Sequence, residues 1–266
     1  MKKLLLLLAT PTLLLVSMVS FAQQKEGKVL YERISQIQVN VAGMPGMEQN
    51  LPRTRTDKFE LSFGNNLSLW KQAEQENEDN DLSSGGMQIR MIGIGSDDVL
   101  FTDLDKKTRV EKRDFMDKQF IVDDSIRPLK WKLSEDTKTI LNHLCRKATA
   151  TNISKRTMMT NDNGKMERKE VDDTANITAW FASDIPVSAG PAEYQGQLPG
   201  LILEMDVNNG RQSFRALSID TKLDLATIKA PTGKKHYTRE EYTKERDKML
   251  EEMQRNNGGQ RVMRMN

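Results

Sequence analysis

The stretch AWFASDIPVSAGPAEYQGQLPGLILEMDV, residues 179–207, decides how this chain is read. It opens on an aromatic strand, runs through a loop punctuated by proline and glycine, and closes on a second apolar strand. Between positions 186 and 200 stand three prolines and three glycines. Proline fixes φ and removes a donor while glycine admits φ > 0, so the segment specifies backbone shape rather than a reactive side chain. Leu198-Pro199-Gly200-Leu201 is expected to form either a type II turn, which would place Gly200 at φ > 0, or a kink at the entry to the next strand. Beyond it Leu201, Leu203, Met205 and Val207 share one parity and Glu204 and Asp206 the other, the pattern of a half-buried strand. Asn208-Asn209-Gly210 then supplies a hairpin turn, with residues 213–219 returning.

The rest of the chain repeats this grammar. Residues 28–41 alternate as a first long strand, and 58–63 with 67–71 read as a hairpin around Gly64-Asn65-Asn66. Short strands are expected at 99–102, 109–113 and 119–122, separated by charged turns. Residues 145–154 and a charged return to 171 make another hairpin across Asn161-Asp162-Asn163-Gly164. Trp131 and Trp180, each in an apolar strand context, read as core anchors. Only the C-terminal end changes character. Thr238 with Glu241 is a capping box, residues 239–255 are rich in helix formers, and Asn256-Asn257-Gly258-Gly259 ends the run. Tyr242, Met249, Leu250 and Met253 give that helix a narrow apolar face, suited to light docking or to a partner. The fold class expected is mainly β: an antiparallel open or half-barrel-like sheet with a C-terminal α-helix. The expected layout is a signal peptide at 1–22, a β domain at 23–236, and a charged helix and tail at 237–266.

The leader is read from its chemistry. Lys2 and Lys3 precede an apolar run from 4 to 19, and Ser20-Phe21-Ala22 places small residues where a signal peptidase cuts. Cleavage near Ala22 predicts a periplasmic or secreted protein, and no later run is long and apolar enough to span a bilayer. Loss of Lys2 and Lys3 leaves 38 charges of each sign. With acids and bases interleaved throughout, this balance argues against nucleic acid as a partner.

Enzyme signatures are missing. There is no G-x-S-x-G, H-E-x-x-H, P-loop, dinucleotide fingerprint or C-x-x-C. His143 and His236 are the only histidines and Cys145 the only cysteine, so no intramolecular disulfide can form. Cys145 reads as a small buried hydrophobe, with a reactive thiol as the sharper alternative. The adjacent pairs Asp97-Asp98, Asp123-Asp124 and Asp172-Asp173 point to opposite faces of a strand and make poor acid/base sites. Asn77, Asp79 and Asp81 have a calcium-loop rhythm, but Leu82 and Gln88 stand where glycine and glutamate are needed, so 74–81 reads as a solvated loop. Methionine is the one residue type that stands out. Thirteen remain after the leader, including Met44/Met47, Met87/Met91, Met249/Met253 and Met263/Met265. Thioethers select Cu(I), which makes copper binding the alternative to an apolar-filler role.

One resemblance emerges. The run Gly196-Gln197-Leu198-Pro199-Gly200-Leu201-Ile202-Leu203-Glu204 resembles the signature of the GLPGLI family of secreted Bacteroidetes proteins. It follows Ala179-Trp180-Phe181, Asp184-Ile185-Pro186 and Gly190-Pro191. Trp131-Lys132-Leu133 and the run at 140–148 resemble the stretches that precede the motif in that family. Gln197 departs from the pattern by standing where the first glycine falls. The resemblance implies export and a β-rich fold and carries no catalytic residue. The function expected is therefore a non-enzymatic exported envelope protein with a binding or assembly role toward an apolar ligand or a protein partner. No cofactor and no membrane span after leader removal are expected. The binding residues expected along the motif loop are Trp180, Tyr194, Leu198, Pro199, Gly200 and Leu201. A hydrolase remains the third alternative, favoured by a buried polar cluster in the concavity.

Overall fold

The computed structural model describes residues 25–36, 54–74, 98–162 and 165–258. Residues 1–22, read as a leader, and residues 75–81 of the acidic run lie outside the described residues.

Among the described residues there are twelve strands and one α-helix: β1 Gly27–Gln36, β2 Thr54–Gly64, β3 Leu67–Gln72, β4 Val99–Asp103, β5 Thr108–Phe115, β6 Lys118–Ser125, β7 Lys132–Ile140, β8 His143–Asp162, β9 Lys165–Ala182, β10 Leu201–Val207, β11 Gln212–Asp220, β12 His236–Thr238 and α1 Arg239–Gly258. They form a single open sheet in the order β12-β6-β5-β4-β3-β2-β1-β11-β10-β9-β8-β7. Two meanders, β1 to β6 and β7 to β11, are joined where β11 pairs with β1. Every neighbouring pair is antiparallel except the parallel pair of β12 with β6. The expected mainly β, open antiparallel sheet with a C-terminal helix is the architecture observed. Among the described residues no helix is long and apolar enough to cross a membrane.

Turn chemistry set most boundaries. Asn65 (φ 50°) and Asn66 (φ 58°) close the β2–β3 hairpin, and Asn208 (φ 54°), Asn209 (φ 51°) and Gly210 (φ 85°) the β10–β11 hairpin. Asparagine and glycine tolerate this left-handed region best. The apolar run 140–145 does not form one strand: Leu141 (φ 48°) and Asn142 (φ 67°) make the β7–β8 turn. Of the long first strand read at 28–41, β1 ends at Gln36 and the remainder lies outside the described residues.

The sheet is strongly curved, and its connectivity requires this. β6 and β7 sit near opposite edges yet are joined only by residues 126–131. Such a segment spans at most about 20–25 Å when fully extended. The face enclosed by the bend carries the main core, with Val29, Tyr31, Phe59, Leu61, Phe63, Trp70, Phe181, Leu203 and Phe214 all buried. Trp70, which no sequence pattern singled out, is the true aromatic centre. It stacks on Phe59 with centroids 4.9 Å apart and meets Tyr31 at 5.4 Å and Phe214 at 6.1 Å. Trp131 and Trp180, expected as core anchors, are half-buried and pack against the main core. Trp180 has the opposite parity to buried Ala179 and Phe181, and its ring lies 4.4 Å from the Lys138 ammonium and 5.9 Å from that of Lys147.

A second, smaller cluster holds the helix. Tyr242 of α1 packs with Phe115, Phe120 and Val122, and partly buried Tyr237, Met249 and Leu250 surround it. The capping box forms as read: the Thr238 amide donates to Glu241 Oε2 at 2.8 Å, and the Glu241 amide to Thr238 Oγ1 at 3.2 Å. Thr238→Ala should therefore destabilise α1 by about 1 kcal/mol. Limited proteolysis checks it: cleavage within 239–258 accelerates several-fold in the variant, and an unchanged rate removes the cap from the account.

Candidate functional site

The loop at 183–200 does not rim the concavity; it fills it. Ile185, Val187, Ala189, Tyr194 and Leu198 belong to the main core. The loop is braced by its own backbone: the Gly196 amide donates to Ser188 O at 2.7 Å, Leu201 to Ile185 O at 3.1 Å and Ile202 to Ala189 O at 3.0 Å. Its polar groups are used to dock it. Fully buried Gln195 accepts from the Ser68 hydroxyl and donates to Ala192 O at 3.1 Å. Tyr31 Oη donates to Ile202 O at 2.5 Å. Each bond of this kind satisfies a group that would otherwise be stranded in an apolar interior.

Gln197 is the clamp on the connection between the sheet edges. Its Oε1 accepts from the Leu129 amide at 3.0 Å and from Trp131 Nε1 at 3.3 Å, while Nε2 donates to Arg127 O at 3.0 Å. A glycine at this position would have no side chain to make these bonds. Gly196 takes the turn instead at φ 74°, where a Cβ would come 2.5 Å from Ile126 Cδ1. Gly200, expected at φ > 0, is not in that region. Its need for glycine is steric, since a Cβ would be driven into the Ala182 carbonyl and lie 3.0 Å from Phe181 Cδ2.

Of the residues expected to bind, Tyr194, Leu198, Gly200 and Leu201 are buried together, Pro199 is exposed, and half-buried Trp180 packs against the main core. The four buried ones form structure more than surface. Of them only Tyr194 also borders a hollow of about 500 Å³, which it lines with Arg109, Arg127, Arg239, Glu193, Asn152 and Ser154. A neighbouring hollow of about 280 Å³ shares Arg109, Glu193 and Arg239 and adds Arg33, Asp98, Glu111, Arg113 and Asp124.

Topology assembles this charged region. Arg109 on β5 is the cross-strand partner of Asp124 on β6. Asp124 receives Arg239, from the first turn of α1, at 2.9 Å and Arg127 at 3.3 Å. Glu193 arrives on the short 3-10 turn Ala192–Tyr194. Arg109 itself is only 9 % exposed. Its Nε has no hydrogen-bond partner, and no salt bridge reaches it among the described residues. Burial pushes its guanidinium below the ordinary range, opposed by the fields of Asp124 and Glu193. Burial, helped by Glu193, likewise raises the Tyr194 hydroxyl, so it stays a neutral donor. The sequence signal for this site was Arg109, Glu111 and Arg113 at one strand parity, which reads as a solvated face unless the fold is known.

Cys145 is fully buried, as the hydrophobe reading expects. Its thiol donates to the His143 carbonyl oxygen at 3.5 Å, while the His143 ring pairs with Asp184 at 2.7 Å. Burial, with Asp184 nearby, pushes the thiol up to about 11 from an ordinary 9.0, which disfavours the thiolate. The native protein should therefore resist an aromatic disulfide reagent at pH 8 and react stoichiometrically in urea. Prompt native labelling would show an accessible thiol. Among the described residues no group of three or more His, Cys, Asp or Glu side chains is placed to hold a metal. Of the methionine pairs, Met44/Met47, Met87/Met91 and Met263/Met265 lie outside the described residues, as does the side chain of Met253.

Comparison with known proteins agrees with a β-rich fold. Residues 131–204 match a family described as "Protein of unknown function (Porph_ging)". The match takes in β7, the long β8–β9 hairpin, the loop and the first half of β10. No curated protein matches the chain. Solved structures of PNGF-II in the P21 and C2 space groups are similar at a TM-score of 0.50 and 15% identity, over 83% and 85% of this chain. The chain spans about a third of those proteins, 32% of each, and at this identity the likeness is one of fold.

Proposed function

We propose that this chain is an exported, non-enzymatic envelope protein of the GLPGLI type from Bacteroidetes, and that its curved sheet is a binding module. The leader chemistry at 1–22 and the motif at 196–204, which falls within the family match up to residue 204, support this reading. One observation carries the binding role. The chain's own loop already covers the apolar part of the enclosed face, and beside it lies a hollow of about 500 Å³ walled mainly by charged and hydrogen-bonding side chains, with Leu129 and Ile153 among them. Hollows of roughly 300–1,000 Å³ suit small molecules or a short partner segment. The occupant this favours is polar, in place of the apolar ligand expected from sequence, and the same polar lining is what the hydrolase alternative calls for.

Native mass spectrometry of the protein purified gently from its own envelope fraction tests the reading. The expected result is a polypeptide mass consistent with cleavage near Ala22, together with an added mass that disappears on denaturation. Recovery of the uncleaved chain from the cytosol, or a bare polypeptide at every stage of purification, would overturn it.

A further inference from the structure

We infer that the hollow beside the motif loop is an anion site centred on Arg109, built for a small polar organic molecule carrying a carboxylate or phosphate group. The inference rests on the binding-module reading and names its ligand class.

Arg109 is the decisive residue. A guanidinium presents five donors in a planar fork, and native proteins bury one only where acceptors meet it. Here the side chain is 9 % exposed, Nε is unpartnered, and no carboxylate forms an ion pair with it among the described residues. The nearby acids are committed elsewhere or held at a distance. Asp124, its cross-strand neighbour, is taken by Arg239 and Arg127. Glu193 lines the hollow and acts on Arg109 only through its field. A charge desolvated without a partner is costly, and an oxyanion entering the hollow supplies the missing acceptors.

The surroundings fit such a ligand. Arg127 and Arg239 face the same space as Arg109, so the larger hollow holds three arginines against the single carboxylate of Glu193. Asp124 fixes two of those arginines by ion pairs of 3.3 and 2.9 Å, which pre-organises them at little further entropic loss. Tyr194, Asn152 and Ser154 contribute neutral hydrogen-bonding groups to the same wall. The volume of about 500 Å³ exceeds what a bare ion needs, so the anionic group is one end of a larger polar body.

The test is isothermal titration of the mature protein with inorganic phosphate and with succinate at matched ionic strength, with glycerol as the uncharged control. Saturable millimolar or tighter binding of one anion, and none of glycerol, is expected; whichever anion binds tighter identifies the group. Arg109→Gln should weaken it roughly ten- to a hundredfold, the loss expected for charge-assisted bonds. Arg127→Gln, at a side chain 60% exposed, should weaken it several-fold with the fold intact, so a poorly folding Arg109 variant does not shield the inference. Wild-type protein that binds neither anion, or an Arg109→Gln protein that binds as tightly, overturns it. Outcomes also separate the two readings. An uncharged added mass retained from the envelope, with no anion binding, ends the anion site and keeps the module. Anion binding by a protein recovered uncleaved from the cytosol does the reverse.

Discussion

Gly200→Val should unfold this protein at markedly lower denaturant than the parent, through a clash rather than through backbone strain. The residue opens the turn into β10 beside the Ala182–Leu201 pair of the β9–β10 ladder. Any Cβ at this position drives into the Ala182 carbonyl oxygen and lies 3.0 Å from both the carbonyl carbon and Phe181 Cδ2. The obstacle is backbone inside a ladder, so it cannot swing aside as a flexible side chain would. Overpacking of this kind costs about 1–3 kcal/mol, occasionally more, and valine adds two methyl groups to the clash. At about 2–4 °C per kcal/mol for a domain of this size, a clear fall in Tm accompanies it. Urea unfolding by circular dichroism should show a lower midpoint with an unchanged slope. Gly210→Ala provides the contrast. There the nearest atom, Gln36 Nε2, is 3.7 Å away and only the φ of 85° resists a side chain, for a loss of roughly 1–2 kcal/mol. A Gly200→Val protein as stable as the parent would show that the loop is not seated against β9 as described.

Trp70→Ala should have an effect at least as large. The indole is 6 % exposed and joins four strands through one cluster, meeting Phe59 of β2, Tyr31 of β1 and Phe214 of β11 from its place on β3. Truncating a buried tryptophan costs about 3–5 kcal/mol, because the neighbours close only part of the cavity. Trp70→Phe, which keeps a ring in the stack, should lose much less. Comparable urea midpoints for Trp70→Ala and the parent would remove Trp70 from the centre of the core.

These two residues show how unevenly the molecule was written into its sequence. Gly200 was visible as a requirement, but its reason was not: a Pro-Gly step predicts a turn at φ > 0, whereas the restriction comes from Ala182, which lies on another strand. Trp70 sits in an ordinary short strand, and only the meeting of β1, β2, β3 and β11 makes it central. The candidate site follows the same rule. Arg109 reads as one charge in a charged strand; its burial depends on β6, the loop and the first turn of α1 closing over it.

What the sequence determined alone are the features decided within a few residues. Asn65-Asn66 and Asn208-Asn209-Gly210 turn the chain because their own backbone tolerates positive φ. Alternation in β10 places its residues on one face or the other, and Thr238 with Glu241 caps α1 across a single turn. The tertiary structure decided everything carried by partners distant in the chain. Ser68 and Gln195 are 127 positions apart, and Gln197 reaches Leu129 across 68. Such pairs decide that the loop fills the bend, that Gln197 clamps the two edges, and that Arg109 is buried with no ion-pair partner among the described residues. Local spacing cannot encode them, because hydrogen bonds and desolvation depend on which groups meet once the sheet has curled.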